Sequence, residues 1–195
     1  MTLKQCIDFI RSDYYRWSRD KDASLLKIWR YSWLNDAMSY LIWFRLSKCD
    51  NPLVRGGARL RYRRLMTKYK IDIPRNAHIG YGFKLFHSGP IVINGTTKIG
   101  DNCDMHQYVS IGSTFNKAAI IGNEVFVGPG VCIVERIKIG DGATIGAGAV
   151  VVKDVEPGIT VAGNPAREVS HKAPGRLIDK KWDRAWNWAP IPEGY

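Results

Sequence analysis

An apolar residue recurs every six positions between residues 73 and 151 of this 195-residue sequence. A six-residue unit holds only a short strand and a turn, so it cannot bury its own apolar face, and neighbouring coils must stack to form a continuous core. The period therefore predicts a mainly β protein, with a parallel β-helix over residues 71–169. Thirteen positions carry the pattern: Ile73, Ile79, Leu85, Ile93, Ile99, Met105, Ile111, Ile121, Val127, Ile133, Ile139, Ile145 and Val151.

Two interruptions break this period, and each predicts a surface loop. Two extra residues lie between Leu85 and Ile93, and four extra residues lie between Ile111 and Ile121. An insertion in a protein of stacked coils leaves the core as a loop, and such loops often carry the binding face. We therefore expect functional residues within the segments LFHSGPIV and IGSTFNKAAI.

Residues 1–70 differ from the repeat in both pattern and charge. They hold 16 of the 29 Lys and Arg residues but only 6 of the 18 Asp and Glu residues, so nearly all of the net charge of +11 belongs to them. Apolar residues at helical spacing predict an N-terminal α-helical segment. Its aromatic stripe, which includes Trp29, Trp33 and Trp43, fits either core or subunit-interface packing, or peripheral membrane contact. Residues 170–195 are predicted to form a short C-terminal tail.

The sequence also predicts a cytoplasmic protein. The first residues lack the basic and apolar regions of a signal peptide, and no uncharged run reaches the ~18 residues that span a bilayer. The cysteines show neither CxxC pairs nor zinc-ligand spacing, which is typical of free thiols in a reducing compartment. The basic segment 1–70 could hold the chain at the inner face of the membrane. The four cysteines are Cys6, Cys49, Cys103 and Cys132.

Four segments resemble a known enzyme family. They are IDIPRNAHIGYGFKLFHSGPIVINGTTKIGD, VSIGS, IGDGATIGAGAVVVKDV and VAGNPAREV, and they cover about residues 71–169. They resemble the hexapeptide-repeat acyltransferases, above all serine acetyltransferases and the related bacterial polysaccharide O-acetyltransferases. The resemblance implies a left-handed, three-sided β-helix, a homotrimer, and acetyl-CoA bound as co-substrate in a groove between adjacent β-helices.

The same resemblance implies a general base. In serine acetyltransferases an Asp in a DIHP segment assists a His that lies fifteen residues later, and Asp72 and His87 have this spacing. A hydroxyl is a poor nucleophile near neutral pH, so a His that takes its proton speeds attack on the thioester carbonyl, commonly by ~10²–10⁴-fold. A carboxylate on the other ring nitrogen holds the tautomer and stabilises the imidazolium. His87 and Asp72 are therefore the predicted catalytic residues.

Further residues are predicted to contact acetyl-CoA. Gly112 and Ser113, in VSIGS, match the family position that offers a backbone N–H to the tetrahedral intermediate. Lys153 is a candidate partner for the CoA phosphates. Counting two residues on from every third repeat position gives a column along one edge of the prism, where small or flat side chains would admit the pantetheine arm. This column contains His87, Gln107, Pro129 and Ala147.

Two departures from the family bear on the acceptor. The DRHP loop of serine acetyltransferases, whose Arg holds the amino-acid carboxylate, is replaced by the shorter STFNKAAI, in which only Lys117 is charged. Phe86 replaces the Asp before the family's His, which favours a flat, apolar site suited to a sugar ring. We therefore predict an O-acetyltransferase that modifies a carbohydrate, either a surface polysaccharide or its precursor. A serine O-acetyltransferase of cysteine biosynthesis and a non-catalytic β-helical scaffold are the alternatives.

Neither a metal nor a nucleic acid is expected as a partner. The column count places His106 and His87 on neighbouring sides of the prism, and His78 belongs to another side. The three imidazoles are therefore not expected to meet around a metal. Nucleic-acid binding would rest on the basic segment 1–70 alone, which lacks a recognised motif.

Overall fold

A computed structural model describes residues 1–115, 117–171, 175 and 177–183 of the chain. Four helices precede fifteen short strands in these residues. The helices are α1 (Leu3–Ser18), α2 (Leu25–Ser32), α3 (Asp36–Leu46) and α4 (Pro52–Tyr69). The strands are β1 (Ile71–Asp72), β2 (His78–Ile79), β3 (Lys84–Leu85), β4 (Ile91–Ile93), β5 (Lys98–Ile99), β6 (Asp104–Met105), β7 (Ser110–Gly112), β8 (Ile120–Ile121), β9 (Phe126–Val127), β10 (Cys132–Val134), β11 (Lys138–Ile139), β12 (Thr144–Ile145), β13 (Val150–Val151), β14 (Thr160–Ala162) and β15 (Arg167–Ser170).

Each helix begins at a residue whose side chain caps it. Thr2 Oγ1 accepts a hydrogen bond from the backbone N–H of Gln5, and Gln5 Oε1 accepts one from the N–H of Thr2, which completes a capping box. At the other three helices, the side chains of Ser24, Asn35 and Asn51 accept hydrogen bonds from backbone N–H groups of the first turn. The predicted N-terminal helical segment is thus confirmed, and among the described helices none is long and apolar enough to cross a bilayer.

The strands form three sheets, which are the three faces of a prism. Face A contains β1, β4, β7, β10 and β13, and face B contains β2, β5, β8 and β11. Face C contains β3, β6, β9, β12, β14 and β15. Neighbouring strands on every face are parallel, except that β15 returns antiparallel to β14. Each coil adds one strand to each face, so the predicted three-sided parallel β-helix is confirmed.

The repeat positions fill the inside of the prism. All thirteen are buried, and none is more than 5% exposed. Leu85, Met105 and Val127 are stacked through successive strand pairs of face C. Burying one such aliphatic side chain stabilises the fold by roughly 1.5–3 kcal/mol, so the core is a continuous column of stacked apolar layers rather than one central cluster.

The strand register locates both predicted loops. Ile133 pairs with Val151, eighteen residues later, which is the length of a regular coil. Ile71 pairs with Ile91, twenty residues later, and the extra residues lie between β3 and β4. Ile111 pairs with Ile133, twenty-two residues later, and the extra residues lie between β7 and β8. Both interruptions of the period are therefore loops at corners of the prism.

Two buried arginines attach the helices to the β-helix. Arg45 of α3 forms an ion pair with Asp13 of α1, with Nε 2.9 Å from Oδ2, and donates hydrogen bonds to the carbonyls of Ile79 and Gly80. Arg16 of α1 reaches Asp104 on face C, with Nη2 2.5 Å from Oδ1. All four charged side chains are almost fully buried. These contacts place α1 against the corner between faces B and C.

The aromatic stripe of the helical segment divides between core and surface. Trp43 is half-buried and packs against the main core. Trp29 and Trp33, whose ring centroids lie 4.5 Å apart, are 46% and 69% exposed. The C-terminal tail packs against the prism, because the backbone N–H of Trp182 donates to Asn102 Oδ1 at 2.7 Å. Residues 184–195 lie outside the described part of the structure.

Candidate active site

The predicted edge column is present at the corner between faces C and A. The N–H of Gly130 donates to the carbonyl of Gln107 at 3.1 Å, and the N–H of Gly148 donates to the carbonyl of Pro129 at 2.8 Å. These bonds stack successive corners, so Pro129 and Ala147 continue the edge on which Gln107 lies. His87 follows β3 at the start of the same edge. Their placement follows the prediction, and their role in binding acetyl-CoA stays a prediction.

His87 and Asp72 are both exposed near this edge. Asp72 lies on β1, whose neighbour on face A is β4, and the loop that contains His87 leads directly into β4. Neither side chain makes a hydrogen bond to another described residue. The structure of one chain therefore brings the two residues to adjacent strands without joining them, and each remains open to a ligand.

His106 lies directly above Phe86, one coil further along face C. The two rings are stacked, with centroids 4.2 Å apart and planes inclined by 9°. His106 Nδ1 lies 3.1 Å from the carbonyl oxygen of Val127, so Nδ1 donates the hydrogen bond and Nε2 keeps its lone pair. Burial lowers the pKa of His106, and the charges of His87 and Lys84 lower it further. A second, neutral imidazole thus stands beside the predicted base, and the sequence pattern gave no functional role to it.

Gly112 and Ser113 lie at a different corner, between faces A and B. Ser113 Oγ is 2.9 Å from the Lys117 carbonyl oxygen and 3.1 Å from Glu135 Oε2. The N–H of Thr114 donates to the same carboxylate at 3.1 Å. Gly112 faces open space, because a Cβ added there would meet nothing within 4 Å. The Ser113 hydroxyl is thus engaged by its own loop and by Glu135 of the next coil, whereas the surface over Gly112 is open.

Lys153 is exposed and follows β13, so it lies at the same corner as Gly112. The predicted residues therefore divide between two edges of one prism, and both edges border face A. The C/A edge carries His87, Pro129 and Ala147, and the A/B edge carries Gly112, Ser113 and Lys153. Within one chain the structure does not bring the two groups together.

No three His, Cys, Asp or Glu side chains among the described residues are grouped so that they could hold a metal ion.

Gln107 places an unpaired side-chain oxygen at the C/A edge. Its Oε1 is buried and has no hydrogen-bond partner in the described chain. This acceptor lies one coil above His87, within the predicted column.

Comparisons with known proteins identify the repeat and the fold. The family described as bacterial transferase hexapeptide (six repeats) matches residues 118–153. Serine acetyltransferase 3, mitochondrial, from Arabidopsis thaliana is 39% identical over 127 residues, which are 63% of this chain and 32% of that protein. The chain spans between 30% and 45% of the length of the curated relatives that it matches.

Solved structures extend the similarity to the helices. The serine acetyltransferase of Neisseria gonorrhoeae, in complex with serine, gives a TM-score of 0.67 at 28% identity, over 86% of this chain and 70% of that one. The serine acetyltransferase of Brucella abortus strain S19, in complex with coenzyme A, gives a TM-score of 0.68 at 25% identity, over 86% and 68% of the two chains.

The predicted carbohydrate acceptor is wrong, because the relatives are named serine acetyltransferases. The structure shows where the argument failed. Phe86 does not present a free ring to a sugar, since His106 is stacked on it and Lys84 Nζ lies 4.1 Å from its centroid. The single charge of the shortened loop was also a poor measure of the positive charge beside that loop, because Lys98 and Arg136 line the same cavity as Lys117. The resemblance itself is confirmed: in repeat, fold and sequence the chain is similar to the hexapeptide-repeat acyltransferases of the serine acetyltransferase type.

Proposed function

We propose that the chain is a serine O-acetyltransferase, which transfers the acetyl group of acetyl-CoA to the hydroxyl of serine. The observation that carries this proposal is the 39% identity to a serine acetyltransferase over 127 residues. The helices add support, because the likeness to the Neisseria gonorrhoeae enzyme with serine extends over 86% of this chain.

His87 acts as the general base of this reaction. It takes the proton of the serine hydroxyl as the oxygen attacks the thioester carbonyl. The tetrahedral intermediate then collapses with cleavage of the C–S bond, and the imidazolium returns the proton to the departing CoA sulfur. Asp72 orients the imidazole and stabilises its charged form. No hydrogen bond joins the two side chains in the described chain, so this pairing is proposed to form when substrate binds.

Acetyl-CoA lies between the C/A edge of one copy and the A/B edge of the next copy. This arrangement unites His87, Pro129 and Ala147 with Gly112, Ser113 and Lys153, which one chain keeps apart. A closed ring of three copies satisfies every such contact, since head-to-tail interfaces must close to avoid open filaments. We therefore propose a homotrimer with three equivalent sites. The open surface over Gly112 leaves room for the thioester.

An acetyl-transfer assay tests the proposed function. The purified chain is mixed with acetyl-CoA and serine, CoA release is followed with a thiol reagent, and O-acetylserine is identified by mass spectrometry. Threonine and glycerol serve as hydroxyl controls. We expect turnover with serine that exceeds both controls. CoA release that does not depend on serine would exclude this acceptor, and failure to bind acetyl-CoA would favour the non-catalytic scaffold.

Peripheral contact with the inner face of the membrane is a further proposal, and it rests on the helices. Three large apolar side chains are exposed on α2 and just after it, namely Trp29 (46%), Trp33 (69%) and Leu34 (91%). Lys27 and Arg30 are exposed beside them. Aromatic residues flanked by cations suit an anionic lipid surface. Flotation with phosphatidylserine vesicles should carry the protein upward, and Trp29→Ser with Trp33→Ser should abolish this. Equal flotation of the variant would refute the contact.

A further inference from the structure

A cavity of about 390 Å³ lies on face B, beside the loop between β7 and β8. Its lining includes Asn76, His78, Lys98, Lys117 and Arg136. We call it the face-B cavity. The cavity borders the A/B edge of the prism, and the proposed general-base step gives its cations no role.

Residues from three successive coils converge on this cavity. His78 on β2 pairs with Lys98 on β5, and Lys98 pairs with Ile120 on β8, so their outward side chains form a row. Adjacent strands are only about 4.8 Å apart, and the row therefore holds its polar ends close together. Lys117 enters from the loop before β8, and Arg136 enters from the turn before β11.

The described lining of the face-B cavity carries three cationic side chains, Lys98, Lys117 and Arg136. It contains no Asp or Glu among the described residues. The side chains of Lys117 and Arg136 make no hydrogen bond or ion pair in the described part of the chain. Glu135, the carboxylate next in sequence, accepts hydrogen bonds from Thr114 and from the Ser113 hydroxyl, and the Thr114 side chain is the main cause that lowers its pKa. These hydrogen bonds go to the loop between β7 and β8, and none is made to the Lys117 or Arg136 side chain.

A second cavity of about 370 Å³ continues the positive surface. It shares Asn76 and His78 with the face-B cavity and adds Arg75 and Lys48, although burial lowers the pKa of Lys48 to about 7. Its described lining also contains no carboxylate. The cations of Lys48 and Lys98, together with burial as the larger cause, lower the pKa of His78. The positive charge of these lysines therefore already contributes to the lowered pKa of His78.

One residue of the lining packs against the neighbouring coil. The Asn76 side chain lies directly over Gly95, where a Cβ would be 2.5 Å from Asn76 Nδ2. Gly95 therefore lets the amide rest against the backbone at the cavity wall. The amide adds a neutral hydrogen-bond donor to the cations of the lining.

We propose that the face-B cavity binds the phosphate group of a small molecule. Lys98, Lys117 and Arg136 offer more positive charge than a single carboxylate needs, whereas a phosphate carries up to two negative charges and accepts several hydrogen bonds. The size of the cavity suits a small phosphorylated molecule rather than an extended polymer. The phosphate could belong to CoA or to a separate phosphorylated metabolite, and both sources present the same chemistry.

Calorimetry with inorganic pyrophosphate tests the proposal. The wild-type chain should bind it saturably, and Lys117→Gln combined with Arg136→Gln should weaken binding by roughly tenfold or more, since two charge-assisted contacts are lost. Lys138→Gln is the matched control, because Lys138 lies on face B outside the lining. The control should change affinity less than about twofold. Absence of saturable binding, or equal binding by the double variant, would overturn the proposal.

The titration of His78 gives a second readout that needs no turnover. A bound anion should raise the pKa of His78, because it offsets the cations that now lower it. NMR titration of the imidazole with and without saturating pyrophosphate measures this change, and His78→Asn identifies the signal. A pKa that does not move would argue against binding at this place. Both measurements remain valid even if the chain does not acetylate serine.

Separate arms identify the source of the phosphate. If CoA is the source, the double variant should lose affinity for CoA but not for pantetheine, and an equal loss for 3′-dephospho-CoA would identify the diphosphate rather than the 3′-phosphate as the bound group. If a separate metabolite is the source, CoA affinity should be unchanged while pyrophosphate affinity falls. A rise in the KM for serine with no pyrophosphate binding would instead identify a carboxylate site. Tighter binding of an oligonucleotide than of pyrophosphate would likewise contradict a small-molecule site.

Discussion

His87 is exposed at its corner and makes no hydrogen bond to any described residue. An imidazole in this state can accept a proton from a substrate without first breaking a contact within the protein. Asp72 is equally free on the neighbouring strand of face A. The acyl transfer is thus proposed to depend on a pair that forms only around substrate.

His87→Ala should lower kcat for acetyl transfer to serine by about 10²–10⁴-fold, because it removes the proposed general base. KM for acetyl-CoA should change little, since the remaining edge column is intact. His78→Ala is the matched control, because His78 is exposed on face B, and it should keep wild-type kcat. Steady-state kinetics of both variants measure the effect, and an unchanged kcat in His87→Ala would remove His87 from the mechanism.

Asp104 should make stability depend on pH. Burial raises its pKa to about 6, although the cations of Arg16 and Lys84 oppose the rise. A carboxyl whose pKa is higher in the folded than in the unfolded chain binds its proton more tightly when folded. The free energy of unfolding therefore contains a contribution that is fully present below about pH 4 and is lost as pH rises through about 6.

Asp104→Asn keeps an oxygen for Arg16 but does not titrate. Relative to this variant, the wild type should lose on the order of 1–3 kcal/mol of unfolding free energy between about pH 4 and about pH 7. Urea unfolding of both proteins across this range measures the difference. A wild-type advantage that grows with pH would show that the sign is wrong.

The helices depend on a few buried contacts where they meet the prism. Arg45 of α3 joins three elements, because it pairs with Asp13 of α1 and donates to the carbonyls of Ile79 and Gly80 at the end of β2. The N–H of Phe83 also donates to Asp13, at 2.9 Å. This junction involves buried charges, so the loss of one partner leaves the other without compensation.

Arg45→Met should destabilise the protein by about 3–5 kcal/mol, because it leaves the Asp13 carboxylate buried and unpaired. Arg59→Met, on the exposed side of α4, is the control and should change stability by less than about 0.5 kcal/mol. Urea unfolding followed by circular dichroism compares the two. Similar stability of both variants would mean that the junction does not support the fold.

Glycine-to-alanine substitutions in the β-helix and in the α-helices should change the stability of the fold in opposite directions. A Cβ at Gly140, at a β-helix corner, would lie 2.4 Å from the backbone nitrogen of Pro157, so Gly140→Ala should cost about 1–3 kcal/mol. A Cβ at Gly56 in α4 would meet nothing within 4 Å, so Gly56→Ala should stabilise by about 0.5–1 kcal/mol. Thermal unfolding of both variants checks the two signs, and a shift in the same direction would contradict one of them.

At the scale of the whole molecule, the predicted site is split between two edges of the prism. A ring of three copies should therefore have a mass three times the chain mass of 22.0 kDa, measured by light scattering after size exclusion. A monomer that turns over acetyl-CoA would contradict the shared site.

Mixed trimers test whether neighbouring copies share each site. Gly112→Trp should block the A/B edge, and the open space there lets the ring fit without unfolding the chain. When Gly112→Trp and His87→Ala chains are refolded together, roughly a quarter of the sites should combine two intact edges and regain activity. Each variant refolded alone is the control. No recovery in the mixture would place the complete site within one chain.

The six-residue period determined the coil, the buried positions and the places of both loops, because each is a consequence of which residues can stack inside a prism. The column through Gln107, Pro129 and Ala147 also followed from counting. A period relates residues one coil apart, but it does not say what covers an outward side chain. Only the tertiary structure decided that His106 stacks on Phe86 and that Lys98 and Arg136 join Lys117, because these neighbours come from different coils and from the loops between them.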